Sequence, residues 1–168
     1  MNRILITFFL MNLFGFLAKA EPLAIGSPAP VLSALNQDGV MVSFAAVYSQ
    51  GITLVYFYPK ADTPGCTAQA CSLRDSFAKL HAEGLQILGV SNDTPAAQKK
   101  FQEKYALPFP LISDTDGKVA AAFGVSSMLG FTSRQSFIIK DGKMVWSSPK
   151  AKTGEHAAEV QAALDALK

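Results

Sequence analysis

The chain has 168 residues, a length that suits one globular domain better than two. Its 15 Lys and Arg against 13 Asp and Glu give a formal charge of +2, which excludes a protein that binds nucleic acid through a strong basic excess. An apolar content of 49% excludes a disordered chain, and two cysteines are too few for a small domain held together by disulfides.

The first twenty residues have the layout of a secretory signal peptide. Arg3 gives a positive start, residues 4–17 are almost wholly apolar, and Ala18-Lys19-Ala20 fits a small-x-small cleavage site. A helix over residues 4–17 would span about 21 Å, less than the roughly 30 Å core of a bilayer, so a cleaved leader is favoured over a permanent anchor. We therefore expect export, most simply to the periplasm or an equivalent extracytoplasmic compartment. The mature domain would be Glu21–Lys168, with no formal net charge and no stable membrane insertion.

The first half of this domain alternates strand and helix patterns. Val31–Leu35 and Val40–Val42 flank a turn-forming NQDG sequence and predict a hairpin. Ile52–Tyr58 is a continuous run of β-forming residues, typical of a central strand buried on both faces. A helical pattern then runs from Thr63 to Glu83, and Leu85–Val90 follows as a second buried strand.

The second half continues this alternation and ends in a hairpin and a helix. In chain order we predict a helix from Thr94 to about Tyr105, a connection over 106–110, a short helix over Asp116–Phe123, a hairpin of Gln135–Ile139 and Lys143–Ser147, and a last amphipathic helix capped by Thr153. This order predicts an α/β fold with a mixed sheet covered by helices on both faces. The thioredoxin-like architecture belongs to this class, although periodicity alone does not select it.

The segment most informative about chemistry joins the strongest strand to the longest helix. It runs from Pro59 to Cys71 and lies at the carboxyl edge of the sheet, where open α/β folds bind their ligands. With Thr63 as N-cap and Pro64 as the first helical residue, Cys66 falls in the first turn. The free N–H groups and the helix dipole stabilise an anionic thiolate there.

The spacing of the two cysteines limits what they can do. Cys66 and Cys71 are five residues apart, so on one helix their side chains diverge by about 140° and their Cα atoms lie roughly 8.6 Å apart. A disulfide spans less than about 7 Å, so an intact helix does not permit a bridge.

Four interpretations of the pair remain after this geometry. A structural disulfide requires a permanently unwound first turn, and two buried thiols suit Cys66 on the apolar stripe better than Cys71. A metal pair lacks support because C-x₄-C is not a zinc spacing and neither histidine forms a motif with it. The favoured interpretation is a redox couple, in which the second thiol reaches an activated first thiol after local unwinding.

The same segment resembles the peroxiredoxin family. Pro59, Thr63 and Cys66 reproduce its P-x-x-x-T-x-x-C spacing, and the string TPGCTAQACSLRD looks like the bacterioferritin comigratory protein, or peroxiredoxin Q, branch. The resemblance extends over Glu21–Lys168. One departure is Gln69, where many members carry glutamate, and it affects a local hydrogen bond rather than the chemistry.

The resemblance implies a thioredoxin-like fold and a thiol-dependent peroxidase without cofactor or metal. Cys66 would be the peroxidatic thiolate that attacks hydrogen peroxide or an organic hydroperoxide. Cys71 would be the resolving cysteine, which closes a Cys66–Cys71 disulfide that a thioredoxin-like dithiol donor reduces. The branch also implies a monomer, and no nucleic acid partner is expected.

Five further residues complete the implied site. Arg134 would be the cation beside the thiolate, Thr63 would orient thiolate and peroxide, Pro59 would exclude water, and Pro64 and Gly65 would line the substrate site. A cation is needed because lowering an ordinary cysteine pKa from about 8.5 to about 6 takes roughly 3.4 kcal/mol. A helix terminus supplies about 0.3–1 kcal/mol of this, and at best about 2 kcal/mol.

Two other functions on the same fold remain as alternatives. An exported thiol–disulfide oxidoreductase would use C-x-x-C at the helix start, and Cys71 is two residues too distant for that motif. A copper-binding module would need C-x-x-x-C and a distant ligand histidine. His81 and His156 form no such motif, and we expect both to pack or to lie at the surface.

Overall fold

The computed structural model describes residues 23–168, so the predicted leader Met1–Ala20 lies outside the described residues. The strands are β1 Ser33–Asn36, β2 Met41–Ser43, β3 Ile52–Phe57, β4 Leu85–Ser91, β5 Leu111–Ser113, β6 Ser127–Met128, β7 Phe131–Thr132, β8 Ser136–Lys140 and β9 Lys143–Ser148. The helices are α1 Phe44–Tyr48, α2 Pro64–Asp75, α3 Phe77–Ala82, α4 Pro95–Tyr105, α5 Lys118–Ala122 and α6 His156–Asp165. Within residues 23–168 there is no helix with the length and apolar character needed to cross a bilayer.

Seven strands form one mixed sheet in the order β2-β1-β5-β4-β3-β8-β9. The three central strands β5, β4 and β3 are parallel, and the outer strands pair antiparallel to them and to each other. β3 thus lies between the parallel strand β4 and the antiparallel strand β8, near the middle of the sheet. The predicted mixed α/β architecture is confirmed.

Both faces of the sheet are covered, which explains the unbroken apolar run of β3. Leu54 and Tyr56 face one core, where they meet residues of α2, α3, α4 and α6, whereas Val55 and Phe57 face a second core that holds residues of α1 and α5. Side chains alternate along a strand, so a strand buried on both faces shows no polar positions. Cys66 belongs to the first core.

The predicted strands and hairpins are found, but one central strand is missing from the sequence analysis. β5, the three residues Leu111–Ser113, joins β4 to β1 and holds the two parts of the sheet together. Its three residues follow two closely spaced prolines, which predict a connection and hide so short a strand. The two-residue ladder of β6 and β7 was not predicted either.

The predicted helix over Thr63–Glu83 is wrong in one respect, because the structure divides it into α2 and α3. Ser76 lies between them with φ −101° and ψ 2°, outside the helical region. Serine is a weak residue for a helix interior because its hydroxyl competes for backbone hydrogen bonds, and this favours a break. The end of the segment is as predicted, since Gly84 follows with a left-handed φ of +86°.

The predicted cap of the last helix is also wrong. Thr153 lies in the turn before α6, whose N-cap position is taken by Glu155. The acceptor comes instead from α2, where the Ser72 hydroxyl accepts the N–H of Ala157 at 3.0 Å. A cap supplied by another helix cannot be read from local sequence, and it fixes the start of α6 against α2.

Replacing Ser72 by alanine is therefore expected to lower the free energy of unfolding by about 1 kcal/mol, the usual cost of a lost cap. Replacing Thr153 by alanine is expected to change it by less than about 0.5 kcal/mol. Urea denaturation of the two variants in parallel measures the difference. A larger loss for Thr153→Ala than for Ser72→Ala would show that the cap lies where the sequence placed it.

Candidate active site

The loop between β3 and α2 is held in place by α4 and the turn before it. The N–H of Ala61 donates to Asp93 Oδ2 at 2.7 Å. The Asp62 carboxylate accepts from Lys104 Nζ at 2.8 Å and from the Tyr105 hydroxyl at 2.7 Å. These contacts fix the start of α2 at the carboxyl end of β3, as the sequence predicted.

Cys66 is the third residue of α2 and only 1% exposed. Thr63 occupies the N-cap position, and its carbonyl accepts the first helical N–H, that of Thr67, at 2.8 Å. The Thr63 hydroxyl, however, donates to the Lys60 carbonyl at 3.0 Å rather than capping the helix. The Cys66 thiol thus lies buried in the first turn of a helix, where backbone N–H groups favour negative charge.

Arg134 lies beside this thiol, although 68 residues separate it from Cys66. Its Nη2 atom donates to Cys66 Sγ at 3.3 Å. The segment is fixed on both sides to the end of β3: the Thr132 hydroxyl donates to the carbonyl of Tyr58, the residue after β3, at 2.8 Å, and the Gln135 carbonyl accepts the N–H of Phe57 at 2.7 Å. Arg134 therefore stands between two residues that are hydrogen-bonded to the end of β3, which fixes the backbone from which its guanidinium reaches the thiol.

A chain of buried hydrogen bonds continues behind the guanidinium. Arg134 Nη1 donates to Gln69 Oε1, and Gln69 Nε2 lies 3.2 Å from His156 Nδ1. His156 Nε2 lies 2.9 Å from the Ser136 hydroxyl. Gln69, His156 and Ser136 are all 0% exposed, so water does not compete for these contacts. The chain links the site to α6 and β8.

Gly65 gives the guanidinium room to approach. A Cβ atom at this position would lie 3.3 Å from Arg134 Nη2 and 3.6 Å from Thr153 Cγ2. The first distance is shorter than most Cβ contacts, so a larger residue would require the guanidinium to shift by a few tenths of an ångström. Gly65 therefore matters because it leaves space for the Arg134 guanidinium, and not because its backbone adopts a left-handed φ.

The second cysteine lies apart from this cluster. Cys71 is on the same helix, partly exposed, and both thiols are free. Because α2 is continuous from Pro64 to Asp75, the two cysteines have the helical spacing that keeps a disulfide from closing. The roles predicted for the two thiols stay predictions at this point.

The structure thus brings together Cys66, Gly65 and Arg134, with Pro64 as the first residue of the helix. Pro59 and Thr63 lie in the loop before it. Two other basic side chains lie elsewhere: Arg74 on α2 binds Asp75 and the Tyr105 carbonyl, and His81, which the sequence analysis set aside, stacks on Phe77 with ring centroids 5.3 Å apart. In the range 23–168, His, Cys, Asp and Glu side chains form no group of three or more suited to a metal ion.

Sequence reasoning missed the network of Gln69, His156 and Ser136. Gln69 stood out as a departure from the family pattern, but no spacing connects it to His156, which lies 87 residues further along the chain. The available signal was weak: a glutamine on the apolar stripe of α2 must find a buried partner. Which partner it finds depends on the packing of α6.

His156 makes the stability of the fold sensitive to acid. Burial, and secondarily the charge of Arg134, lower the pKa of His156 from 6.5 to about 4. As the pH falls below 6.5 the unfolded state takes up a proton that the native state does not, so stability is lost between pH 6.5 and about 4. These two pKa values correspond to a loss of about 3 kcal/mol.

Chemical denaturation from neutral to acidic pH measures this loss. In His156→Asn, which cannot titrate, we expect the free energy of unfolding to fall by about 3 kcal/mol less over the same range. Identical pH profiles for the two proteins would show that the imidazole is not held neutral in the native state.

A buried cysteine in the first turn of a helix, bonded to an arginine at the carboxyl edge of a mixed sheet, is the arrangement of an enzyme that uses a thiolate nucleophile. Comparison with known proteins identifies the family. Residues 25–147 match the AhpC/TSA family. The chain is 44% identical over 144 residues to peroxiredoxin Bcp of Escherichia coli (strain K12), covering 81% of this chain and 92% of that protein. The chain therefore belongs to the AhpC/TSA family and is a peroxiredoxin.

Solved structures agree with this assignment. The crystal structure of peroxidoxin BcpB from Mycobacterium tuberculosis superposes with a TM-score of 0.81 at 32% identity, over 87% of this chain and 99% of that one. The bacterioferritin comigratory protein of Xanthomonas campestris, described for its alkyl peroxide reduction activity, superposes with a TM-score of 0.75 at 29% identity, over 83% of this chain and 97% of that one. The predicted thioredoxin-like fold is confirmed.

Proposed function

We propose that the chain is a thiol-dependent peroxidase that reduces hydrogen peroxide and organic hydroperoxides at Cys66. The observation that carries the proposal is the 3.3 Å contact between Arg134 Nη2 and Cys66 Sγ in the first turn of α2. A charge-assisted hydrogen bond of this kind is worth about 1.5–3 kcal/mol, which a helix terminus alone does not supply. Together they favour the thiolate, the nucleophilic form of the thiol.

The first step transfers one oxygen atom to sulfur. The Cys66 thiolate attacks the terminal peroxide oxygen, so that an S–O bond forms and the O–O bond breaks. Sulfur is oxidised to a sulfenic acid and the peroxide is reduced. The leaving oxygen takes the electron pair and a proton, and departs as water or an alcohol.

The second step requires α2 to unwind. Cys71 then attacks the sulfenic sulfur, so that an S–S bond forms, the S–O bond breaks and water leaves. A thioredoxin-like dithiol donor reduces the Cys66–Cys71 disulfide by exchange and is itself oxidised to a disulfide. The continuous helix and the partly exposed Cys71 support this order, since the resting thiols are separated while the second remains reachable.

The residues around Cys66 have distinct roles in this proposal. Pro59 shields the thiolate from water, and Thr63 turns its hydroxyl from the Lys60 carbonyl toward the bound peroxide. Pro64 and Gly65 line the approach to the sulfur, and Gly65 keeps the space that Arg134 occupies.

Organic hydroperoxides are included as substrates because apolar side chains precede Arg134 in the chain. Met128, Leu129 and Phe131 of the β6–β7 hairpin are exposed, by 76%, 89% and 46%. The Phe131 ring lies 5.8 Å from Lys60 Nζ, in the loop before α2. An apolar rim of this kind suits an alkyl chain, as does the alkyl peroxide reduction described for the Xanthomonas campestris protein.

Peptide mapping of the oxidised protein tests the proposal. Reduced protein treated with one equivalent of hydrogen peroxide is expected to yield a Cys66–Cys71 disulfide, and a dithiol donor is expected to restore both thiols. Stoichiometric binding of Cu(I) to the reduced protein without peroxide consumption would favour the copper-binding alternative. Peroxide consumption with both cysteines still free would contradict the proposal.

We also propose that the protein is exported as a monomer after cleavage between Ala20 and Glu21. The support for export and cleavage is the charged start, apolar stretch and Ala-x-Ala site of residues 1–20, whereas the monomer rests on the resemblance to the peroxiredoxin Q branch. Protein from the extracytoplasmic fraction should have a mass that begins at Glu21, whereas deletion of residues 1–20 should retain it in the cytoplasm. A full-length chain found in the cytoplasm would contradict export, and a dimer mass in solution would contradict the monomer.

A further inference from the structure

We propose that His156 is a positioning residue for Arg134, acting through the side-chain amide of Gln69. The imidazole accepts from the NH₂ end of that amide, holds its oxygen toward the guanidinium, and thereby keeps Arg134 against Cys66. This inference rests on the peroxidatic role proposed for Cys66. It assigns a function to a histidine of the last helix that touches neither thiol nor peroxide.

The hydrogen-bond chain has one arrangement in which donors and acceptors alternate. A guanidinium carries only donors, so the Gln69 atom that faces Arg134 must be the oxygen Oε1. The Gln69 amide nitrogen then faces His156 Nδ1 at 3.2 Å, and Nδ1 must accept. The imidazole proton is therefore on Nε2, which donates to the Ser136 hydroxyl at 2.9 Å.

Burial gives this arrangement its stability. Gln69, His156 and Ser136 are 0% exposed, so a reversed amide would place its NH₂ group against the guanidinium with no water to relieve it. A buried donor without an acceptor costs about 1–3 kcal/mol, and here both Arg134 and Gln69 would lose one. The guanidinium excludes that reversal because it has only donors, and the imidazole with its proton on Nε2 holds the amide by accepting from its NH₂ group at Nδ1.

The position of the imidazole is itself fixed from two sides. The ring of Tyr56 on β3 meets it edge to face, with centroids 5.8 Å apart. The neighbouring N–H of Ala157 donates to Ser72 on α2 at 3.0 Å, so the first turn of α6 is tied to the helix that carries Gln69. The burial that lowers the pKa of His156 to about 4 keeps the ring neutral at physiological pH.

A neutral amide at position 69 also leaves the charge of Arg134 available. A carboxylate in the same place would form an ion pair with the guanidinium and reduce its attraction for the Cys66 thiolate. Glutamine needs no such pairing, but its buried NH₂ group needs an acceptor on the side away from Arg134. His156 supplies that acceptor.

Substitutions at position 156 test the inference in the otherwise intact protein. His156→Leu removes the acceptor, whereas His156→Asn keeps an oxygen where Nδ1 lies. We expect the second-order rate constant for hydrogen peroxide to fall about tenfold in His156→Leu, as for one weakened charge-assisted bond. In His156→Asn the same rate constant should stay within about threefold of the native value. The thiolate absorbance of Cys66 near neutral pH should fall in the leucine variant and recover in the asparagine variant. His81→Asn is the matched control and should change neither quantity.

Nuclear magnetic resonance of the native protein gives a second test that does not depend on the folding of any variant. The imidazole nitrogen signals of His156 should show Nε2 protonated and Nδ1 unprotonated. A proton on Nδ1 would overturn the inference, as would native rate and thiolate absorbance in a folded His156→Leu. Equal losses of rate in both variants with unchanged thiolate absorbance would also overturn it. Native activity in Cys66→Ser would instead contradict the proposed function.

Discussion

Replacing Cys66 by serine is expected to lower the rate constant for peroxide reduction by at least about a thousandfold. A serine hydroxyl at neutral pH is almost wholly protonated and is a far weaker nucleophile than a thiolate, and neither Arg134 nor the helix dipole compensates for this difference. Because the side chain differs by one atom in a site that is 1% exposed, the fold should be preserved. Stopped-flow measurement with hydrogen peroxide gives the rate constant, and circular dichroism checks the fold.

The contrasting variant is Cys71→Ser, which keeps the peroxidatic thiol and lacks the resolving one. We expect it to consume the first equivalent of peroxide at the native rate and then to stop when only a dithiol donor is supplied. Equal loss of the first turnover in both variants would show that Cys71 acts before the sulfenic acid forms, against the proposed order.

Replacing Arg134 by methionine is expected to lower the rate constant about a hundredfold. The substitution removes the donor at 3.3 Å from Cys66 Sγ and the only cation that touches it among the described side chains. Loss of a charge-assisted bond of about 1.5–3 kcal/mol corresponds to roughly ten- to 150-fold, and the loss of thiolate and transition-state stabilisation together places the effect near the upper end. Methionine fills similar space, so the cost is electrostatic rather than one of packing.

Arg74→Met is the matched control, since Arg74 lies on the same helix and binds Asp75 and the Tyr105 carbonyl instead of the thiol. It should react within about twofold of the native rate. Arg134→Lys should be intermediate, because an ammonium keeps the charge but cannot bond Cys66 and Gln69 at once. A native rate constant in folded Arg134→Met would show that the guanidinium does not contribute to peroxide reduction.

Much of the fold follows from local pattern. The unbroken apolar run of β3, followed by a helical pattern, predicts a sheet covered on both faces. Thr63 with Pro64 predicts where the helix that carries the cysteines begins. β5 is not predicted, because three residues that follow two prolines are too few to show a strand pattern. These residues nevertheless join the two parts of the sheet. The caps show the same limit: Thr94 caps α4 from the adjacent residue, with its hydroxyl accepting the Ala97 N–H at 3.3 Å, whereas Ser72 caps α6 from another helix.

In the candidate site, too, local features are predicted from sequence and long-range contacts are not. Cys66 in a first helical turn, and its separation from Cys71, follow from spacing alone. The approach of Arg134 was inferred from family resemblance, because a contact across 68 residues has no local signature. The link from Gln69 to His156 was not predicted, since it depends on how α6 docks on α2. Residues that act on the thiol through a neighbour become visible only when packing is known.

The central claim is that Cys66 is the thiol that peroxide oxidises. Reduced Cys71→Ser protein, mixed with one equivalent of hydrogen peroxide and then with a diketone that traps sulfenic acids, tests it by peptide mapping. The account predicts a single diketone adduct on Cys66, formed in proportion to the peroxide consumed. Peroxide consumption with Cys66 recovered as a free thiol would contradict it.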